Sequence, residues 1–340
     1  MRAVEYQGNR TFTVVDRAAV DPGPHDVRIA VSYVGLCGTD LHVYLGDADA
    51  RVGVPAVIGH EMSGYVERTG AEVIGLEPGR LVTVMPTRYC GQCAACVRGH
   101  SNVCYAMDFI GMDSPGALQE LWTVPEHLVV PVQSSVGARR AALLEPLTVA
   151  VHDVRRARLA AGERALVVGG GPIGLLIAMV AARAGAEVLL SEPSKQRRAA
   201  ADLLGIATID ASTPDAATRI EDFTQGAGAD VAFEASGSAA GVGSAVAAMA
   251  AHGRLVQVAI HAQAREIDLH RFFWREIEMY GARLYTREDM DRAAELLAAG
   301  QIPVESLITD VVAMAETQNA FARLAQGGAM KLLVDINAEG

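Results

Sequence analysis

"RALVVGGGPIGLLIAMVAARAGAEVLLSEPSKQRR", residues 164–198, is the stretch that decides the fold. An apolar strand, Ala165 to Val168, runs into Gly169-x-Gly171-x-x-Gly174. An uncharged apolar helix follows, then a second strand, Glu187 to Leu190. Three glycines at this spacing say little by themselves. Here they sit in a strand–turn–helix–strand setting, with an acidic residue, Glu192, 18 positions after the last glycine. The turn, with Pro172 and Ile173 opening the helix, offers backbone N–H groups and a helix N-terminus to a pyrophosphate. Glu192 ends the second strand, where a carboxylate accepts both ribose hydroxyls of an adenosine and repels a 2′-phosphate. The expected cofactor is therefore NAD. Arg197 and Arg198 pull the other way, because arginines at that place can hold the phosphate. Their alternative reading is the solvated face of a helix capped by Ser194 and stopped by Gly205.

Strands and helices continue to alternate beyond this unit. Thr213-Pro214 reads as a cap and first helical position. "ADVAFEASGS" (229–238) and "GRLVQVAI" (253–260) read as buried strands. Such alternation builds a parallel, doubly wound sheet. Ala165 to Ala182 is long enough to span a membrane, but four glycines and Pro172 interrupt it near its start. It reads as a buried strand, a tight turn and a buried helix.

"YCGQCAACVRGHSNVC" (89–104) holds four of the five cysteines, Cys90, Cys93, Cys96 and Cys104, spaced C-x2-C-x2-C-x7-C. Disulfides fit a reducing compartment poorly, and a ferredoxin-type cluster would continue x3-C-P. Four thiolates converging at about 2.3 Å on one ion make a closed tetrahedral zinc site, with Gly91 and Gly99 easing the turns. Such a site leaves no open position, so its role is structural, contributing on the order of 10 kcal/mol to local folding. The fifth thiol, Cys37, lies in "GLCGTDLHVY", and "VIGHEMSGYV" follows with His60 and Glu61. Cys37 alone would be core packing. A thiolate, an imidazole and a carboxylate together suit a catalytic zinc with an open position. Thr39 and His42 follow Cys37 closely, where a hydroxyl and an imidazole can pass a proton from a substrate hydroxyl to solvent.

With these pieces in place the chain resembles the zinc-dependent medium-chain alcohol/polyol dehydrogenases. The resemblance rests on "CGTDLH" (37–42), "GHE" (59–61), the cysteine lobe, "EPL" (145–147) and the glycine turn, in that order along nearly the whole chain. It is strongest for the threonine, butanediol and sorbitol dehydrogenase branch. The resemblance implies an α/β chain. A GroES-like β-rich catalytic domain would cover 1–148 and 283–340, with the zinc lobe at about 88–106. A Rossmann domain would cover 149–282. The two would meet in a cleft, with metal on one wall and nicotinamide on the other. It implies Cys37, His60 and Glu61 as main ligands of a catalytic zinc. Many alcohol dehydrogenases place a second catalytic cysteine where Glu145 stands here. The polyol branch also has glutamate there, implying direct or water-mediated contact with zinc. The plainer reading of Glu145 is a carboxylate at a helix start. "YTRED" (285–289) resembles a segment near the substrate, which makes Tyr285 and Arg287 candidate substrate contacts.

Composition is consistent with this reading. The chain has 340 residues, 51% hydrophobic, with a formal net charge of −11. Its acidity disfavours nucleic acid and anionic membrane surfaces as partners. The N-terminus has charges at Arg2, Glu5 and Arg10 and no apolar core of a signal peptide. A cytoplasmic enzyme is expected, acting on a small alcohol, polyol or amino alcohol, and assembled by family analogy as a homotetramer or homodimer. Three rivals stand beside it. A zinc-free quinone reductase or NADP-dependent carbonyl reductase would share the fold, and the former needs neither Cys37 nor the lobe. A zinc-lobe binding or structural protein without turnover would leave "GHE" and the glycine turn unexplained.

Overall fold

A computed structural model describes residues 1–327 and 329–338. The chain divides into two compact units, Met1–Glu145 with Thr286–Gly340, and Pro146–Tyr285. The change-overs lie a few residues from 148/149 and 282/283.

In the first unit, the main sheet places strands in the order Ile308–Ala313, Lys331–Asp335, Asp26–Gly35, Glu61–Thr69, Leu81–Val84, Val129–Pro131. All neighbours are antiparallel except the first pair. Leu121–Pro125 adds to Asp26–Gly35 off this path. The long strand Asp26–Gly35 departs from the simple alternation Val27, Ile29, Val31, Tyr33. Its register against Glu61–Thr69 shifts between Val31 and Tyr33, so Val34 is buried and Tyr33 is only partly so. One extra residue in one strand of a pair flips every later side chain to the other face. Gly64 permits the close approach there, because a Cβ would sit 2.4 Å from the Ala30 carbonyl oxygen.

This pairing brings distant motifs together. Gly35 is opposite Glu61, and Leu333 is opposite Gly35 on the other side. Antiparallel neighbours put the end of one strand beside the start of the next. Cys37, His60, Glu61 and Lys331 therefore converge at one end of three adjacent strands.

The second unit is a six-stranded parallel sheet. The order is Ala207–Ile209, Glu187–Ser191, Arg164–Val168, Ala229–Glu234, Met249–Gln257, Glu278–Gly281. Counted along the unit that order is 3-2-1-4-5-6, the doubly wound arrangement whose ligands bind where the order reverses. Leu166, Val168, Leu189, Ala232 and Leu255 share one core with Ile220 and Val246 from the covering helices. The apolar stretch 165–182 is split into a strand and the helix Pro172–Arg183, and no helix among the described residues is long and apolar enough to cross a membrane. One expected cap lies elsewhere. The helix Ala216–Phe223 starts after Asp215, because the Thr213 hydroxyl donates to the Asp210 carbonyl at 2.9 Å and is committed to the preceding turn. The strand expected from Gly253 begins earlier, at Met249.

Candidate active site

The Cys37 sulfur, a His60 ring nitrogen and a Glu61 oxygen all lie within 4.8 Å of one another. His60 and Glu61 are buried, and Cys37 is partly so. Glu61 folds over Gly35, whose missing side chain is required: a Cβ there would be 2.4 Å from Glu61 Oε2. Cys37 caps the helix Gly38–Leu45, and Asp40 completes a capping box by accepting the Cys37 N–H at 3.0 Å through Oδ2. Oδ1 of the same carboxylate lies 3.4 Å from His60 Nδ1. Asp40, with no exposed surface, thus touches two of the three candidate ligands. The Phe109 ring, 4.9 Å from the His60 ring, forms an apolar wall.

Charge at this place is lopsided. Cys37 brings a thiol, Asp40, Glu61 and Glu145 bring carboxyl groups, and Lys331 brings an amine. Lys331 Nζ lies 2.8 and 2.6 Å from the two Glu61 oxygens and donates to the Leu36 carbonyl at 3.2 Å. Burial alone would lower the affinity of Lys331 for its proton, but Glu61, Cys37 and Glu145 together raise it above the usual range. Burial likewise opposes a charge on His60, yet Asp40 and Cys37 outweigh it and push that ring well above the ordinary histidine value. A buried imidazole whose ionisation is drawn upward by surrounding anions is a place suited to a cation. With one sulfur, one nitrogen and one oxygen donor, the trio fits zinc with an open fourth position. Glu145 is buried at the start of the helix Leu144–Arg156 and is not among these mutually close donors.

The second thiol group also converges. Cys93 and Cys96 sulfurs are 3.5 Å apart, Cys104 and Cys90 3.5 Å, and Cys93 and Cys104 3.9 Å. A tetrahedron with ~2.3 Å arms has edges of about 3.8 Å. Backbone N–H groups of Cys96 and Tyr105 draw the Cys93 thiol down to about 6, and that of Cys90 lowers Cys104. Burial pushes Cys96 up to about 12. The lobe's backbone thus favours thiolate at two corners, as a metal requires. The lobe leaves Tyr89, Val97 and Tyr105 exposed, so it has little apolar core of its own. Gly91 and Gly99 adopt positive φ at its turns.

Thr39 is partly buried on the same helix as Asp40. His42 is exposed, with Nδ1 3.1 Å from Asp47 Oδ2. In the second unit, a cavity of about 430 Å³ is lined by Gly169, Gly171, Glu192, Arg197, Ser236 and Ser238, among others. Gly174 is obligatory, since a Cβ would sit 1.9 Å from the Gly169 oxygen. Pro172 and Ile173 open the helix that follows Gly171, its N-cap. Glu192 is buried and accepts the Gly170 N–H at 2.6 Å and the Ser194 N–H at 2.8 Å. Arg197 Nη1 is 3.8 Å from Glu192 Oε2. Arg198 is committed to the Glu192 and Pro193 carbonyls and to Asp210. Tyr285 has no exposed surface. Arg287 opens the helix Arg287–Ala298, exposed and paired with Asp291 at 2.9 Å.

Residues 23–134 match the alcohol dehydrogenase GroES-like domain family, and residues 172–299 match the zinc-binding dehydrogenase family. A 2-dehydro-3-deoxy-L-galactonate 5-dehydrogenase from Pseudoalteromonas atlantica is 46% identical over the whole of both chains. The chain belongs to the zinc-dependent medium-chain alcohol/polyol dehydrogenases. An L-galactonate-5-dehydrogenase from Escherichia coli is 32% identical, over 85% of this chain and 84% of that one. A zinc-binding dehydrogenase from Sinorhizobium meliloti, solved with NADP, superimposes with a TM-score of 0.92 at 29% identity, over 98% of this chain and 99% of the other.

Two residues of this dehydrogenase's candidate site escape a reading of its sequence. Asp40 carried a usable signal, because Cys37-x-x-Asp40 has the spacing of a capping box. Lys331 carried none: it reaches Glu61 from 270 residues away through strand pairing alone.

Proposed function

We propose that this dehydrogenase oxidises a secondary hydroxyl of a polyol or polyhydroxy acid to the ketone with NAD. The observation that carries the reading is the buried convergence of Cys37, His60 and Glu61. The substrate class is supported by the relatives at 46% and 32% identity, both named for oxidation of a sugar acid at a secondary carbon. When bound, zinc supplies a Lewis acid that lowers the pKa of an alcohol oxygen, and the nicotinamide accepts the hydride.

This chain's residues supply the rest. Cys37, His60 and Glu61 hold the ion, Asp40 orients the His60 ring, and Lys331 fixes the Glu61 carboxylate. Glu145 acts as an outer carboxylate of this group. The Thr39 hydroxyl takes the substrate proton and passes it towards His42. Because Asp47 holds His42 Nδ1, Nε2 is the atom that exchanges the proton with solvent. Arg287 is the candidate contact for a polar substrate group. Cys90, Cys93, Cys96 and Cys104 hold a second, structural zinc.

The NAD assignment rests on Glu192, whose carboxylate lines the cavity at the end of its strand. Arg198 is occupied by carbonyls and Asp210, which leaves Arg197 as the cation able to meet a 2′-phosphate. The NADP-bound relative favours NADP as the second reading. Glu192→Ala is expected to weaken NAD roughly tenfold, the scale of one charged hydrogen bond, and to improve NADP. Titration with both dinucleotides checks this; unchanged NAD affinity would remove the ribose contact. Assaying aldonic acids, sugar alcohols, diols and amino alcohols with each cofactor tests the substrate class. Turnover confined to simple primary alcohols would refute it.

Two further assignments complete the proposal. The strand Glu278–Gly281 is a sheet edge, with Met279 and nearby Phe273 and Trp274 exposed. An edge of this kind supports a homodimer or homotetramer joined through it. Five cysteines, all unpaired, suit the reducing cytoplasm.

A further inference from the structure

The second unit contains a knot of buried polar contacts centred on Glu234, the last residue of the strand Ala229–Glu234. This residue has no exposed surface. Its Oε1 accepts from the Ser236 N–H at 2.9 Å, the Ser236 hydroxyl at 2.5 Å and the Gly237 N–H at 3.1 Å. Its Oε2 accepts from Gln257 Nε2 at 2.8 Å and His261 Nε2 at 3.0 Å. Its backbone carbonyl accepts the N–H groups of Val258 and Ala259 at 3.0 and 2.9 Å. One residue therefore ties the loop after the fourth strand of the sheet to the loop after the fifth.

Both arms of the knot are braced. Arg265 Nε donates to His261 Nδ1 at 3.1 Å, which makes Nε2 the hydrogen-bearing nitrogen facing Glu234. The Ser236 hydroxyl lies 2.9 Å from that of Ser238, and Ser238 caps the helix Ala239–Ala248 by accepting the Gly241 N–H at 2.9 Å. Ser236, Ser238 and Gly241 line the 430 Å³ cavity beside the glycine turn. The turn rests directly on this segment, since a Cβ on Gly169 would meet the Ser236 nitrogen at 2.7 Å. Burial works against a charge on Glu234, but bonds from Ser236, Gln257 and His261 outweigh it and hold the carboxyl below its ordinary range. An ion buried among five donors is not needed for core packing, for which an apolar side chain would serve.

We propose that Glu234 is a positioning residue for the dinucleotide, fixing the Ser236–Gly241 wall of the cavity through these hydrogen bonds without touching the cofactor. The proposal rests on the reading that this cavity takes a dinucleotide. The test titrates zinc-loaded protein with NAD and NADP separately and follows whichever the unaltered enzyme binds more tightly. A preference for NADP would correct the cofactor assignment and leave this test standing. Glu234→Gln keeps the volume but turns an acceptor into a donor that faces other donors in either orientation. It is expected to weaken the dinucleotide about 10–100-fold, while kcat at saturation stays within about threefold. Glu234→Gln with Gln257→Glu restores a donor–acceptor pair between the two side chains, at the cost of the bond that Gln257 Nε2 donates to the Ala259 carbonyl at 2.9 Å, and is expected to recover part of the affinity. Unchanged affinity in Glu234→Gln overturns the proposal. So does a loss that follows the fall in melting temperature and is not recovered in the double variant. If Glu234→Gln does not fold, Gln257→Met carries the test: a weakened dinucleotide supports the proposal and wild-type affinity overturns it.

Discussion

Lys331→Met is expected to destabilise the metal-free protein by about 3–5 kcal/mol, the cost of leaving a buried carboxylate without its cation. The ammonium is 3% exposed and its partner Glu61 1%, so water cannot replace it. Methionine approximates the length of the stem and adds no clash, which isolates the charge. Adding zinc is expected to restore part of the loss, because an ion that binds the folded trio stabilises it by mass action. It also supplies the positive charge that the lysine no longer brings to Glu61. Thermal melting with and without zinc checks both halves. A loss below about 1 kcal/mol would mean that Glu61 is solvated or neutral, and Lys331 would then have no part in holding it. A loss of full size that zinc does not reduce would separate Lys331 from the metal site.

Cys37→Ser is expected to lower turnover at least about 10³-fold while the fold, dinucleotide binding and the lobe's metal are kept. The magnitude follows from the several kcal/mol that a Lewis acid contributes to the transition state, at about 1.4 kcal/mol per tenfold. A serine hydroxyl is a poor substitute for thiolate towards zinc. Cys96→Ser should do the reverse. The lobe exposes Val97 and Tyr105 and has little apolar core, so losing one corner of its tetrahedron should melt it locally and make it sensitive to protease. Equal losses of activity in both variants, with folding intact in both, would contradict this division between the two sites.

The second unit was legible because its information is local. The glycine turn, the strand before it and Glu192 lie within one βαβ segment, and Gly174 and Gly169 are fixed because a Cβ there would sit 1.9 Å and 2.7 Å from backbone atoms. The cysteine lobe was legible for the same reason. In the first unit the motifs "CGTD" and "GHE" were visible, but the reason they meet was not. It is the pairing of Gly35 with Glu61, set by a register shift that simple alternation of apolar residues does not reveal. Lys331 enters by the same long-range pairing. Thr213 failed as a cap because its hydroxyl had a nearer partner in Asp210, a competition between local hydrogen bonds that composition does not resolve. Tyr285 was legible as part of a motif, but its complete burial belongs to packing.

The most direct test is zinc content against turnover in one preparation, with metal removed stepwise by a chelator. The two donor groups predict about two zinc ions per chain in the active enzyme. The first ion lost, from the Cys37 group with three donors in place of four, should take all turnover with it and leave dinucleotide binding in place. Undiminished alcohol oxidation by protein holding zinc at the four-cysteine lobe alone would contradict the account.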